Sequence, residues 1–248
     1  MGFDKKTPGA VGFTGELKME RLLFQNDACF VINKLPGESS ESPDFSMGKP
    51  PIFPVHRLDV PVSGCLLFAR DPQAAAFLSK AFAAQDGGGI KKLYWAIVEK
   101  TPSACALAPC GELVHWLRFD KRANKSFALA FDSEGKAPNA EKRRGKLQKA
   151  VLRYKVIGEG DNYIFLEINL VSGRHHQIRA QLAALSLHIK GDLKYGARRS
   201  EKSGGIRLHA FSLAFPDPLN PGKTITVHAP PVAMDSLWEA LITSAGAL

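Results

Sequence analysis

The spacing of hydrophobic and polar residues along the chain predicts a series of short strands. The apolar runs Val31 to Leu35 and Cys65 to Ala69 are typical of buried strands, whereas Lys91 to Glu99 alternates as a half-buried strand does. Later strands are predicted at residues 151–157, 163–170, 207–215 and 224–227. Several neighbouring strands are separated by turns too short for a crossover helix. We therefore expect an α+β fold with a mixed, largely antiparallel sheet.

Helical spacing occurs in three segments that we expect to flank this sheet. Asp71 can cap a first helix that begins at Pro72. Its predicted buried face comprises Phe77, Leu78, Ala81 and Phe82. A second helix is predicted to open at Ser172-Gly173, and its apolar positions are Ile178, Leu182 and Leu185. A third, C-terminal helix is predicted near Asp235 to Thr243.

Length and polar segments indicate a single domain with one arm and two loops. The 248 residues suffice for one large domain or two small ones, and we find no internal repeat. Residues 1–20 lack sustained periodicity and predict a flexible N-terminal arm, which leaves residues 21–248 as the domain. Residues 37–54 are rich in Ser and Pro and predict a surface loop. Residues 134–149 are strongly basic and predict an inserted loop that is mobile or contacts phosphates.

Charge and cysteine content narrow the class of partner and the compartment. Lys and Arg number 33 against 24 Asp and Glu, so the net charge of +9 favours nucleic acid first and an acidic membrane second. Four cysteines are too few for a disulfide framework, which favours a reducing, cytoplasmic setting. The N-terminus has no apolar signal region, and no segment approaches the roughly 18 apolar residues of a membrane span.

A cluster of polar residues stands directly before a predicted buried strand. His56, Arg57 and Asp59 bring three polar side chains, two of them with opposite charge, to this position. One interpretation is a salt-bridged turn that seats the strand, which the residues alone favour. The other is that Arg57 or Asp59 projects into a cleft and takes part in chemistry.

The predicted start of the second helix carries a second cluster. Arg174, His175, His176 and Arg179 fall within six residues, and the two histidines stand at i, i+4 and i, i+3 from Arg179. At a helix N-terminus they could present donors to a phosphate or a base edge, although a solvated basic face is the commoner outcome. A metal site combining both histidines with His56 and Asp59 is disfavoured because the arginines would repel a cation.

Two further segments combine basic and aromatic residues. Lys92 and Tyr94 share one face of a predicted strand and Trp95 lies on the other, so one aromatic ring is a candidate platform for stacking a base. Trp116 and Arg118, together with the residues from Lys121 to Lys125, favour a solvated strand and turn.

Taken in order, these motifs resemble those of the RluA-type pseudouridine synthases over roughly residues 25–231. The matching segments are His56-Arg57-Leu58-Asp59 with Ser63-Gly64, Lys92-x-Tyr94-x-Ala96, Gly173-Arg174-x-His176-Gln177-Ile178-Arg179, Gly191-Asp192-x-x-Tyr195-Gly196 and Leu208-His209-Ala210. The resemblance implies the pseudouridine synthase fold with a central RNA-binding cleft. It also implies isomerisation of specific uridines to pseudouridine in structured rRNA or tRNA.

The resemblance assigns roles to individual residues. It implies that Asp59 is the catalytic nucleophile acting on a flipped-out uridine, that Tyr94 packs on the uracil and that Arg179 is the ion-pair partner of Asp59, which a bidentate contact would hold charged. Arg57, Ile178 and His56 are the implied substrate-binding residues. It further implies an enzyme without metal or organic cofactor. We expect it to act as a monomer without an obligate protein partner and without a membrane.

Departures from the family pattern leave a second hypothesis open. Val62 and His175 stand where the pattern commonly has Thr, and the residues before Arg21 are too few for the separate N-terminal RNA-binding domain of many relatives. The alternative is therefore a catalytically inactive, RNA-binding member of the family.

Overall fold

A computed structural model of the chain describes residues 21–41, 52–84, 89–131, 146–202 and 204–246. The predicted arm at residues 1–20 lies outside these ranges, as do most of the predicted basic loop and half of the predicted loop at 37–54. No helix among the described residues is long and apolar enough to cross a membrane.

The described strands form one mixed sheet, as predicted. In chain order they are β1 (Leu22–Gln25), β2 (Cys29–Lys34), β3 (Phe53–Pro54), β4 (Ser63–Ala69), β5 (Lys91–Glu99), β6 (Cys110–Asp120), β7 (Lys125–Leu129), β8 (Leu147–Glu159), β9 (Tyr163–Leu170), β10 (Leu208–Pro216) and β11 (Thr224–His228). Their order is β1-β2-β4-β10-β5-β9-β8-β6-β7, with β3 beside β4 and β11 beside β10. Within the described part of the chain the β4–β10 pair is parallel and every other pair is antiparallel.

Four helices accompany the sheet in the described ranges. They are α1 (Pro72–Ala83), α2 (Pro102–Cys105), α3 (Gln177–Ala184) and α4 (Ser236–Ala245). Alternating residues of β5 face opposite sides of the sheet: Tyr94 shares a core with Ile178 of α3, whereas Trp95 packs with Trp238 of α4. Because β5 is central and covered on both faces, its middle residues are buried throughout, and the prediction of a half-buried strand is wrong although its bounds are confirmed.

Strand β10 joins the two halves of the sheet. Its parallel contact with β4 pairs Ala210 with Gly64, and its antiparallel contact with β5 pairs His209 with Trp95. Gly64 has φ +113°, and a Cβ at this position would lie 2.3 Å from the carbonyl oxygen of Ala210. Only glycine allows two strands to approach this closely here.

His209 is fully buried at the same junction. Its Nε2 lies 2.8 Å from the carbonyl oxygen of Ala229, and its Nδ1 lies 2.9 Å from Ser63 Oγ. A carbonyl oxygen only accepts, so Nε2 carries the proton and the Ser63 hydroxyl donates to Nδ1. Burial lowers the pKa of His209 to about 4, which keeps this linkage neutral.

Two details of the predicted helices are wrong. The N-cap of α1 is as predicted, since Asp71 accepts hydrogen bonds from the backbone N–H groups of Gln73 and Ala74. The predicted buried face is wrong, because Phe77 is 40% exposed and the buried residues are Ala74 and Leu78. The second predicted helix, α3, begins at Gln177 rather than directly after Ser172-Gly173.

Candidate active site

Three elements meet around a cleft of about 790 Å³. The segment before β4, strand β5 and the start of α3 carry the predicted site residues, and the ends of α1, β8 and β9 complete its lining. Strand β10 brings the two halves of the sheet together at this point. All six residues predicted to act on a substrate line this cleft, namely His56, Arg57, Asp59, Tyr94, Ile178 and Arg179.

Arg179 is the centre of the charge network in the cleft. Its side chain is 5% exposed, and its Nη1 lies 3.1 Å from Asp59 Oδ2. The predicted contact between these two residues is therefore present in the structure, but its predicted bidentate form is wrong. The two-pronged contact is made to Asp192 instead, with Nε at 2.7 Å from Oδ2 and Nη2 at 2.8 Å from Oδ1.

Asp192 is a site residue that sequence reasoning missed. It is 2% exposed and lies directly before a 3₁₀ turn, Leu193–Tyr195, whose Tyr195 ring is 4.8 Å from the Arg179 guanidinium. Although burial disfavours the charge of Arg179, the hydrogen bonds and charges of Asp192 and Asp59 raise its pKa above the ordinary value. The only signal in the sequence was the Gly191-Asp192-x-x-Tyr195-Gly196 motif. It does not indicate whether Asp59 or Asp192 makes the bidentate contact with the Arg179 guanidinium.

His176 is the second neighbour of Asp59. Its backbone is left-handed, with φ 52° and ψ 27°, and its carbonyl accepts the N–H of Ala180, so it forms the N-cap of α3. Its Nε2 lies 3.6 Å from Asp59 Oδ2, and its Nδ1 lies 3.0 Å from Tyr195 Oη. Burial and the nearby Arg179 lower the pKa of His176 to about 3, so the imidazole is neutral at physiological pH. Arg179 therefore supplies the positive charge that faces Asp59.

The left-handed residue also corrects a sequence expectation. His175 precedes α3, so His175, His176 and Arg179 do not form one helical edge. The ring of His175 instead stacks on that of His176 with a centroid separation of 3.8 Å, and it also meets the ring of Phe119 of β6 at a centroid separation of 4.3 Å. Among the described residues no three His, Cys, Asp or Glu side chains converge as metal ligands.

His56 lines the cleft but is already engaged with the backbone. Its Nε2 accepts the N–H of Leu67 at 3.0 Å, and its ring stacks on Phe82 of α1 at 4.7 Å. Burial and the charge of Lys92 lower its pKa to about 3, so it remains a neutral acceptor. His56 thereby fixes the segment that carries Asp59 against β4.

Lys34 fixes the other end of that segment and was also missed. Its side chain is fully buried and donates to the carbonyl oxygens of Leu35, Val60 and Val62 at 2.6–3.0 Å. Burial lowers the pKa of Lys34 to about 8. A lysine at the end of an apolar strand was the only sequence signal, and it does not indicate these backbone partners.

Tyr94 and Ile178 form the apolar wall beside Asp59. They are 8% and 4% exposed, and both belong to the core that α3 shares with the sheet. Burial and the neighbouring Asp59 carboxylate raise the pKa of Tyr94 well above its ordinary value, so its phenol stays protonated. This wall offers a flat, neutral surface of the kind that a nucleobase stacks on.

Cationic residues line the remainder of the cleft. Arg57 lies at its rim with 66% of its side chain exposed, paired at 3.6 Å with an equally exposed Glu41. Lys92, Lys149 and Arg174 also line the cleft, with Lys92 partly buried and the other two exposed, and burial together with Arg174 lowers the pKa of Lys92. Together these positive charges favour an anionic ligand in the cleft.

Three comparisons with known proteins agree with one another. Residues 18–184 match the family model for RNA pseudouridylate synthase. An uncharacterized RNA pseudouridine synthase of Zymomonas mobilis is 32% identical over 160 residues, which is 64% of this chain and 64% of that protein. The tRNA pseudouridine synthase C of Haemophilus ducreyi is 33% identical over 79% of this chain and 77% of its own length. The ribosomal large subunit pseudouridine synthase D of Zymomonas mobilis is 28% identical over 77% of this chain and 56% of its own length.

Solved structures support the fold alone. Human RNA pseudouridylate synthase domain containing 4 superposes with a TM-score of 0.67 at 20% identity, covering 92% of this chain and 94% of that one. Human RNA pseudouridylate synthase domain containing 1 gives 0.65 at 22% identity, covering 87% and 85%.

Proposed function

The chain belongs to the RNA pseudouridylate synthase family of RNA-modifying isomerases, and we propose from this that Asp59 is the nucleophile that converts a flipped-out uridine to pseudouridine. The observation that carries the proposal is the position of Asp59, which lies 3.1 Å from the buried Arg179 and beside the apolar wall of Tyr94 and Ile178.

The isomerisation exchanges one bond to the sugar for another. The bond between uracil N1 and ribose C1′ breaks, the uracil turns, and a bond forms between C5 and C1′. C5 loses a proton and N1 gains one, so no oxidant or co-substrate is consumed. The residue that assists must offer an ionised oxygen beside the sugar and uracil, and Asp59 fits because Arg179 stabilises its negative charge.

Binding a flipped-out base requires compensation for lost stacking. Extrusion of a nucleotide costs a few kcal/mol, and stacking on Tyr94 at about 1–3 kcal/mol per base offsets much of this cost. We expect Arg57, Lys92 and Arg174, which line the cleft, to contact the flanking phosphates. Because such contacts release counterions, affinity for RNA should fall steeply as salt rises.

The class of RNA follows from the names of the relatives. They include a tRNA pseudouridine synthase and a large-subunit rRNA pseudouridine synthase, which supports a structured tRNA or rRNA as substrate. We further propose that the enzyme acts in the cytoplasm and as a monomer.

The test is release of tritium from tRNA and rRNA transcripts labelled at uridine C5, because forming the new bond expels the hydrogen at C5. The wild-type protein should release tritium from one class of transcript, and Asp59→Asn should reduce release by at least a thousandfold while RNA binding changes little. Asp161→Asn is the matched control, since Asp161 is exposed at the far end of β9 from the cleft.

Two results would contradict the proposal. Tight binding without release from any transcript would favour an inactive RNA-binding relative. Undiminished release by Asp59→Asn would remove Asp59 from the chemistry and leave it as a structural partner of Arg179.

A further inference from the structure

Phe119 is an exposed aromatic residue beside the candidate active site. It lies near the end of β6, on the same face as the buried Leu117, yet it is 38% exposed. Its cross-strand partner on β7 is Ser126, which is buried and donates its hydroxyl to the carbonyl oxygen of His175 at 2.6 Å. The β6–β7 hairpin is thereby fixed to the segment that precedes α3.

A continuous series of ring contacts connects Phe119 to Asp59. Phe119 meets His175 at 4.3 Å, His175 stacks on His176 at 3.8 Å, and His176 Nε2 lies 3.6 Å from Asp59 Oδ2. His175 and His176 line the cleft, whereas Phe119 lies just beyond them. Because Phe119 is 38% exposed, this series of rings extends from the cleft to the protein surface.

Cations surround this ring series. Burial lowers the pKa of His175, and the positive charges of Arg57, Arg179 and Lys194 lower it further against the opposing effect of Asp59. The turn after β6 places Lys121 and Arg122 in solvent, held by two backbone N–H bonds to Asp120. Proteins that bind single-stranded nucleic acid combine exposed aromatic rings with nearby basic side chains. The bases stack on the rings, and the phosphates pair with the basic side chains.

We propose that Phe119, supported by His175, is a second stacking platform, which holds a base of the RNA next to the nucleotide bound at Asp59. The proposal rests on the proposed function for its ligand class. It gives the β6–β7 hairpin a role in selecting the RNA context of the target uridine, because the strength of stacking depends on which base stands at that position.

The test uses Phe119 variants in the Asp59→Asn protein, so that binding is measured without turnover. The probes are fluorescein-labelled tRNA and rRNA transcripts, and the measurement is Kd by fluorescence anisotropy. Phe119→Ala and Phe119→Leu should weaken binding about tenfold, whereas Phe119→Tyr, which keeps the ring, should stay within about twofold. Phe77→Ala is the matched control, since Phe77 is 40% exposed on α1 and should leave Kd unchanged.

A second measurement locates the contact. Transcripts containing 4-thiouridine, crosslinked by ultraviolet light, should label the peptide that holds Phe119, and Phe119→Leu should reduce that labelling. The platform is wrong if Phe119→Leu binds as tightly as Phe119→Tyr, if Phe77→Ala loses as much affinity, or if no crosslink reaches the hairpin. The two proposals can fail separately. If Phe119→Leu loses affinity for RNA but the wild-type protein releases no tritium, the stacking role of Phe119 stands and the proposed isomerisation is refuted.

Discussion

At the scale of single residues, the site depends on how Arg179 is shared between two carboxylates. The ordered motifs in the sequence predict an Asp59–Arg179 contact, and the structure contains one. They do not predict that the guanidinium fork is occupied by Asp192, because that choice depends on where a turn far along the chain places its carboxylate. Asp59 is left with one hydrogen bond from Arg179, and its side chain, 17% exposed, lines the cleft where a substrate would lie.

Because Arg179 makes two bonds to Asp192 and one to Asp59, replacing each aspartate by asparagine should affect stability and turnover differently. Asp192→Asn should lower the free energy of unfolding by about 3 kcal/mol, because it removes the charge that compensates a buried guanidinium. Asp59→Asn should cost much less stability, since Arg179 keeps both bonds to Asp192, yet it should abolish turnover. Urea unfolding and tritium release on both variants check this contrast. Equal losses of stability would mean that the two carboxylates share Arg179 evenly.

At the scale of elements, the hydrophobic pattern predicts most of the strands. The start of α3 and the shortest elements depend instead on local backbone conformation and cannot be read from that pattern. Strands β5 and β9 have their predicted bounds, because both combine β-branched and aromatic residues over a full strand length. The start of α3 was misplaced because His176 adopts a left-handed backbone that no local signal indicates. Strand β3 and helix α2, with two and four residues, are too short for a periodic pattern to reveal.

The contact between β4 and β10 makes Gly64 a sensitive position. Gly64→Ala combines a left-handed φ with a Cβ that meets the backbone of Ala210 at 2.3 Å, so we expect a loss of at least about 3 kcal/mol in the free energy of unfolding. Gly37→Ala is the matched control, since Gly37 has φ +88° with nothing within 4 Å of an added Cβ. Its cost should be only the backbone strain of about 1–2 kcal/mol. Urea denaturation of both proteins measures the difference, and similar losses would show that the two strands can separate to admit a methyl group.

At the scale of the whole molecule, charge and burial of titratable groups set the response to solution conditions. The net charge of +9 was available from composition and predicted a polyanionic partner. What composition could not provide is the number of histidines buried in neutral form. His56, His176 and His209 occupy three different contacts, and burial lowers the pKa of each to between about 3 and about 4.

These histidines predict how stability depends on pH. Each has a folded pKa below its unfolded value of about 6.5, so the unfolded chain binds more protons, and stability that is complete above pH 6.5 is lost as the pH falls from there towards 4. Each proton taken up on unfolding contributes a slope of about 1.4 kcal/mol per pH unit. Urea unfolding at pH 7, 6 and 5 should therefore show a steep decline below pH 6. His209→Gln should make that decline shallower, and an unchanged slope would contradict the assignment of His209 as a neutral buried group.

The central place of β10 has a consequence for the order in which the protein becomes competent during synthesis. Asp59 belongs to the half of the sheet built from β1, β2 and β4, whereas Tyr94 and Arg179 belong to the half that begins with β5, and β10 lies between them. Until residues 208–216 have left the ribosome, the two halves have no strand to join them, and the cleft has only one of its walls. A nascent chain that already contains every proposed catalytic residue is therefore expected to be inert, and the enzyme gains activity in a single late step of long-range pairing.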